Sequence, residues 1–298
     1  MNSWRNNLAV RSSPLRATPL TIFRRSDFQG PERGTLLATG SIAIVTLLLP
    51  EEGFLSWGWR LPFFASVLLV AFGLWIRVGV AETPLFRQLE RDKSQARAPV
   101  GEVFREHWPK LLIGDGARIG PDVLYSLAAT FSLAYLTTTV GVSRTLALIA
   151  LSIGGACNAL TIPIFGSLSD RFGRRAVYGA GVLCALVVAF IFFPLLDTGS
   201  PVAIAFAIAA ALVVHAMMYG PQAAFIAEQF PTRVRYAGSS LAYTLAGIVG
   251  GGIAPLVLAT LQKAFGGTHA LSMYLAAALL VTGIVLMIAR ERAGAALD

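Results

Sequence analysis

The sequence predicts an all-α integral membrane protein of eight transmembrane helices, and three observations carry that expectation. Only 13% of the residues are charged while 55% are hydrophobic, where a soluble domain carries about 25% charged residues. The mean hydropathy of +0.67 leaves too little polar surface for an exterior facing water. The apolar residues are gathered into runs of about 20, the length a helix needs to cross ~30 Å of hydrocarbon at 1.5 Å per residue. These runs lack the period-two alternation of a membrane β-barrel. In lipid every backbone amide needs an internal partner, so each run has to be helical.

Taken in order, the runs cover residues 35–49, 61–80, 110–138, 145–168, 176–196, 201–227, 237–262 and 270–289. Charges, Pro or Gly bound each one, as at Pro50-Glu51-Glu52, Ser169-Asp170-Arg171, Asp197 and Pro231-Thr232-Arg233. The last six are expected to form a bundle of two three-helix repeats. The first 33 residues are of another kind, with six arginines and no apolar core of a signal peptide, and are expected to be a disordered leader.

Charge sets the expected orientation. With the loop after the second run in the cytoplasm, cytoplasmic segments hold Arg77, Arg87, Arg91, Lys93, Arg97, Arg105, Lys110, Arg171, Arg174, Arg175, Arg233, Arg235, Arg290 and Arg292. The other side holds Arg60, Arg144 and Lys263. Fourteen against three is a strong positive-inside bias, and it places both termini in the cytoplasm of a multi-pass inner-membrane protein. The net charge of +8 is thereby explained by anionic lipid, with no nucleic-acid partner. Cys157 and Cys184 lie inside runs at no metal or disulfide spacing, so packing is their expected role. No cofactor or metal is expected.

One turn stands out. Gly166-Ser167-Leu168-Ser169-Asp170-Arg171-Phe172-Gly173-Arg174-Arg175 joins the fourth and fifth runs. Its glycines permit tight turning and close backbone approach, and Asp170 suits a helix N-terminus, where the macrodipole favours an anion. Further motifs follow in order: Trp57-Gly58-Trp59-Arg60-Leu61-Pro62-Phe63, Glu82-Thr83-Pro84-Leu85-Phe86, Gly220-Pro221-Gln222-Ala223-Ala224-Phe225, then Glu228 and Thr232-Arg233-Val234-Arg235-Tyr236.

The turn resembles the signature loop of the major facilitator superfamily, and the motifs together resemble its metabolite:proton symporter family, from about residue 34 to 290. The resemblance implies a partial major facilitator fold. Residues 34–80 would be the last two helices of the amino-terminal half, 81–109 the cytoplasmic linker between halves, 110–290 the complete carboxyl-terminal half, and 291–298 a tail. The family's first four helices have no counterpart upstream of Gly34, which implies a truncated or frame-shifted product.

The implied function is proton-coupled symport of a small organic acid or zwitterion by alternating access. The alternative is a membrane-inserted remnant that transports nothing, and a lone chain is expected to show no uptake unless an absent amino-terminal half joins it. An enzyme is not expected, because H-E-x-x-H, G-x-S-x-G and P-loop patterns are all lacking.

Ionisable groups within a span usually face a cavity or one another. Asp115, Arg118 and Asp122 stand three and four residues apart, on one helical face. Arg118 offers a planar fork for a carboxylate, and Asp122 beside it is a candidate proton carrier. A charge triplet satisfied within its own helix is the competing reading. Here the chain departs from the family pattern, which has its acid one position earlier and no proline; it reads Gly116-Ala117-Arg118-Ile119-Gly120-Pro121-Asp122.

Tyr125, Gln222 and His215 complete the candidate pathway, with His215 weighed as relay against packing residue. Gly166, Asp170, Arg171, Gly173, Arg174, Arg175, Glu228, Arg233 and Arg235 form the candidate cytoplasmic gate. Glu228 is expected to pair with Arg233 or Arg235, and Asp170 to reach the helix beginning near Gly34, around residues 32–38.

Overall fold

A computed structural model describes residues 45, 49, 53, 56–79 and 99–289. Among them there is no strand. Helix α1 (Leu61–Gly79) follows a 3₁₀ turn at Gly58–Arg60. A short amphipathic helix, α2 (Pro99–Glu106), leads into six long helices: α3 (Trp108–Val140), α4 (Arg144–Phe172), α5 (Arg174–Asp197), α6 (Pro201–Gln229), α7 (Arg235–Phe265) and α8 (His269–Ile288).

Seven of these, all but α2, are long and apolar enough to cross a membrane. They match the second to eighth predicted runs, each within a few residues. The first run, 35–49, lies outside the described residues apart from Val45 and Leu49, as does the 1–33 leader.

Helices α3 to α8 form one bundle with a particular order of packing. The first helix of each group of three lies on the second and third helices of the other: α3 on α7 and α8, α6 on α4 and α5. The pair α3 and α6 also touch each other at the centre. The core between them holds Leu124, Leu127, Tyr178, Phe192, Phe193, Ile208, Leu212 and Phe225. Large apolar side chains such as Leu160, Leu183, Phe206, Leu256 and Met287 point outward, as expected where the surrounding solvent is hydrocarbon. Cys184 is exposed on that surface and Cys157 is half-buried, so only Cys157 has the packing role foreseen for both.

Two glycines show how the backbone permits this order. Gly173 is the whole connection between α4 and α5, with φ +94°, a conformation that side chains disfavour. Gly220 lets α6 approach α4 so closely that a Cβ there would lie 2.8 Å from Gly166 N and 2.8 Å from Ile162 O.

Helices α3 and α7 are not α-helical throughout. The stretches Ser126–Phe131, Leu136–Val140 and Gly247–Ile253 are π-helical, a form that gathers at functional positions. At α3, Thr282 of α8 enters the ladder: Gly120 N–H donates to its hydroxyl at 3.0 Å, and the hydroxyl donates to the Gly116 carbonyl at 2.8 Å.

Candidate functional site

The polar centre of the bundle is built on α3. Arg118 stands ten residues into the helix, roughly 15 Å from its start at 1.5 Å per residue, well inside the span. Its Nε lies 2.8 Å from Asp122 Oδ2 one turn on. The approach is off the N–H axis, which makes it an ion pair without an aligned hydrogen bond. The other arm of the guanidinium donates to the Tyr243 carbonyl of α7 at 2.6 Å, and Cζ sits 4.4 Å above the Tyr243 ring. Arg118 is thus held by a carboxylate, a carbonyl and an aromatic face.

Helix α7 reaches these groups because it is bare of side chains there. A Cβ on Gly250 would fall 2.6 Å from Asp122 Cβ, and one on Gly247 would lie 3.7 Å from the Arg118 guanidinium. Ser126 hydroxyl donates to the Gly250 carbonyl at 3.1 Å. The glycine face of α7, Gly247 and Gly250 above all, therefore accommodates the charged pair of α3.

Pro121 explains the next contact. Proline has no N–H, so the carbonyl four residues earlier loses its intrahelical donor. That carbonyl belongs to Ala117, and the Tyr178 hydroxyl of α5 donates to it at 2.6 Å. Gln222 Nε2 in turn donates to the Tyr178 oxygen at 3.0 Å. Gln222 is wholly buried and its Oε1 has no hydrogen-bond partner, as is true of Asp115 Oδ1. Asp115 makes no ion pair with Arg118 among the described residues, so the predicted triplet is a pair, and the outer acid stands apart.

His215 is buried at the centre of α6. Its Nδ1 is 3.0 Å from Asn158 Nδ2 of α4, and its ring lies 5.1 Å from the rings of both Tyr125 and Tyr219. Tyr125 is therefore brought against His215.

At the basic end of the bundle, Arg174 is the hub. It pairs with Glu228 of α6 at 2.6 Å and with Asp170 at 3.1 Å. This corrects the expectation for Glu228: its partner is Arg174, because α5 starts beside the end of α6. Arg233 instead pairs with Glu102 of α2, and that bonded carboxylate pushes the guanidinium's proton affinity above its ordinary value. Arg235 donates to the Phe230 carbonyl at 3.3 Å. Arg175 donates to the Met287 carbonyl at 2.9 Å, at the negative end of α8. Arg171 and Asp170 are exposed. Gly166 lies within α4 rather than in the turn. The segment proposed to receive Asp170, residues 32–38, is outside the described residues.

At the opposite end, Tyr135 hydroxyl donates to Asp197 Oδ1 at 2.5 Å. Sequence reasoning missed Asn158, Tyr178, Tyr243 and Glu102; a buried Asn in an apolar run was the one signal available. Glu102, Glu106 and His107 place ligand atoms within 4.8 Å of one another, but a metal there would have to displace Arg233 from Glu102. A cavity of about 700 Å³ between α4 and α6, lined by Leu146, Ile149, Ile153, Val202 and Phe206, is apolar and offers a charged solute nothing.

A bundle of membrane-length helices with an ion pair inside one span and further ion pairs at its basic end defines an integral membrane protein. Comparison with known proteins agrees. The family model described as "Sugar (and other) transporter" matches residues 87–298. The shikimate transporter of Escherichia coli (strain K12) is 36% identical over 263 residues, 87% of this chain and 60% of that protein. The inner membrane metabolite transport protein YhjE of the same organism is 33% identical over 88% of this chain and 60% of its own length. The glycine betaine/proline/ectoine/pipecolic acid transporter OusA of Dickeya dadantii (strain 3937) is 31% identical over 83% and 51%. The chain belongs to the sugar (and other) transporter family of the major facilitator superfamily. It spans about 60% of the length of the first two of these relatives.

Proposed function

We propose that this chain provides the carboxyl-terminal half, with part of the amino-terminal half, of a proton-coupled symporter for a small organic acid or zwitterion. The Arg118–Asp122 pair supports this reading most directly. A guanidinium within a span is the group suited to a solute carboxylate, and its partner acid is the group that can take a proton when the solute carboxylate replaces it. The relatives named for shikimate and for betaine and proline carry solutes of that kind.

In this reading Asp122 and a solute carboxylate compete for Arg118. Protonation of Asp122 frees one arm of the fork, while Tyr243 keeps the other in place. The Arg174 contacts with Glu228 and Asp170 and the Glu102–Arg233 pair are the cytoplasmic gate, and Tyr135–Asp197 closes the other side. The distribution of cations supports a basic end, and both termini, on the cytoplasmic side of an inner membrane.

The test is binding by the purified chain in detergent, with radiolabelled shikimate and glycine betaine as probes and a pH indicator in weak buffer. At least one probe should bind with uptake of a proton, and Arg118→Ala should weaken binding about tenfold or more, since charge-assisted hydrogen bonds are worth ~1.5–3 kcal/mol. Binding of equal strength by Arg118→Ala, or binding with no change of proton count, would overturn the reading. A reporter fused to the carboxyl terminus checks the orientation.

A further inference from the structure

His215 and Asn158 occupy matching positions, each fourteen residues from both ends of its helix, α6 and α4 respectively. Both side chains are 2% exposed. Asn158 Nδ2 makes two contacts: it donates to the Leu212 carbonyl at 2.6 Å and lies 3.0 Å from His215 Nδ1. An Asn side chain has an oxygen and a nitrogen that exchange places on flipping, and hydrogen-bond partners decide between them. Here the decision is clear, because an amide oxygen 2.6 Å from a carbonyl oxygen would set two acceptors against each other. The nitrogen must face Leu212.

The consequence passes to the imidazole. The amide nitrogen has two protons and no lone pair to offer, so the group facing it has to accept. His215 Nδ1 is therefore unprotonated, and the ring proton is on Nε2. We infer that Asn158 is a positioning residue that locks His215 in the neutral Nε2–H tautomer, so that His215 serves the transport path as a hydrogen-bond donor and not as a proton carrier. The assignment of a path rests on the symporter reading above; the tautomer does not.

The surroundings favour the same state. Helix α3 sets Tyr125 beside the ring, α6 itself adds Tyr219, and α4 supplies Asn158. No acid among these groups would welcome an imidazolium. A second proton on Nδ1 would face the amide N–H directly, and admitting it requires a flip that breaks the Leu212 contact. Protonation of His215 and the link between α4 and α6 thus exclude each other. The proton of the symport cycle is left to Asp122.

The test is nitrogen NMR of the full chain labelled with ¹⁵N-histidine. Only His107, His215 and His269 are present, and the His215 signals are identified by their loss in His215→Gln. In the wild type Nδ1 should show the unprotonated type of shift and Nε2 the protonated type. Both should hold from about pH 5 to pH 8, the interval in which an unperturbed imidazole changes charge. Asn158→Ala should bring in the other tautomer, and Asn158→Asp should move the proton to Nδ1. A protonated Nδ1 in the wild type, titration within that interval, or a tautomer unchanged in Asn158→Ala would each overturn the inference. The spectra need no substrate, so they remain decisive if neither shikimate nor glycine betaine binds.

Discussion

The hydroxyl of Tyr178 stands 2.6 Å from the Ala117 carbonyl, the acceptor that Pro121 leaves without its helical donor. A defect in α3 is repaired by a side chain of α5. The same phenol receives Gln222, which ties α6 to the pair, so three helices meet at one carbonyl in the plane of the charged site.

That repair predicts a non-additive pair of variants. Tyr178→Phe leaves two buried polar groups without partners and should cost ~1–3 kcal/mol for each group stranded. Restoring the N–H with Pro121→Ala should remove part of that cost, so the double variant should be more stable than the sum of the singles. Unfolding in detergent, followed by circular dichroism, measures the cycle. Strict additivity would show that the hydroxyl does not serve the carbonyl.

The Arg118–Asp122 pair predicts an asymmetry. Arg118→Ala strands a carboxylate, and breaking a buried pair in this way costs ~3–5 kcal/mol. Asp122→Asn leaves the guanidinium on the Tyr243 carbonyl and ring, so it should cost less by about 1 kcal/mol or more. Comparing the unfolding midpoints of the two variants checks the order, and equal losses would count against the three-way anchoring of Arg118.

The glycines of α4, α5 and α6 are predicted to differ in their tolerance of a methyl group. Gly220→Ala drives a methyl into Gly166 N and Ile162 O and should destabilise by ~1–3 kcal/mol. Gly155→Ala in α4 and Gly179→Ala in α5 meet nothing within 4 Å and should be neutral or raise stability by up to ~1 kcal/mol through helix propensity. Thermal unfolding of the three variants side by side tests the contrast.

Arg174 is predicted to matter more than Arg171. Arg174→Ala releases Glu228 and Asp170 together and should cost ~1–2 kcal/mol, in the range of charged hydrogen bonds. Arg171→Ala, at an exposed position, should change stability by less than ~0.5 kcal/mol. Exchanging the charges, Arg174→Glu with Glu228→Arg, should recover part of the loss. Chemical unfolding at low and high salt reads these effects, and a swap no better than the single variant would argue against the pair.

Much of the fold could be read along the chain. Each run from 61–80 onward is a helix, and the observed helices extend the runs by up to about four residues because polar ends such as Ser169-Asp170-Arg171 continue the helical ladder past the apolar part. The Arg118–Asp122 pair was legible too, since both residues share one helix and four positions always bring side chains together. Pairs across helices were not legible. Arg118 and Tyr243 are 125 residues apart, Asn158 and His215 57, Arg174 and Glu228 54. Pro121 was visible as a departure from the family pattern; that Tyr178 answers it was not.

The sequence by itself determined that this chain lives in a membrane, where its helices run and which end carries the cations. Those properties are sums over consecutive residues: a run is inserted because its transfer energies add up, whatever surrounds it. The tertiary structure alone decided which buried polar atom meets which. A hydrogen bond needs two atoms within about 3 Å and aligned. That distance depends on how each helix is rotated and how close its neighbour can come. Here Gly220, Gly247 and Gly250 set the approach. Arg118, Tyr178 and His215 acquire their partners from that geometry, because in hydrocarbon a polar group left alone has no water to turn to.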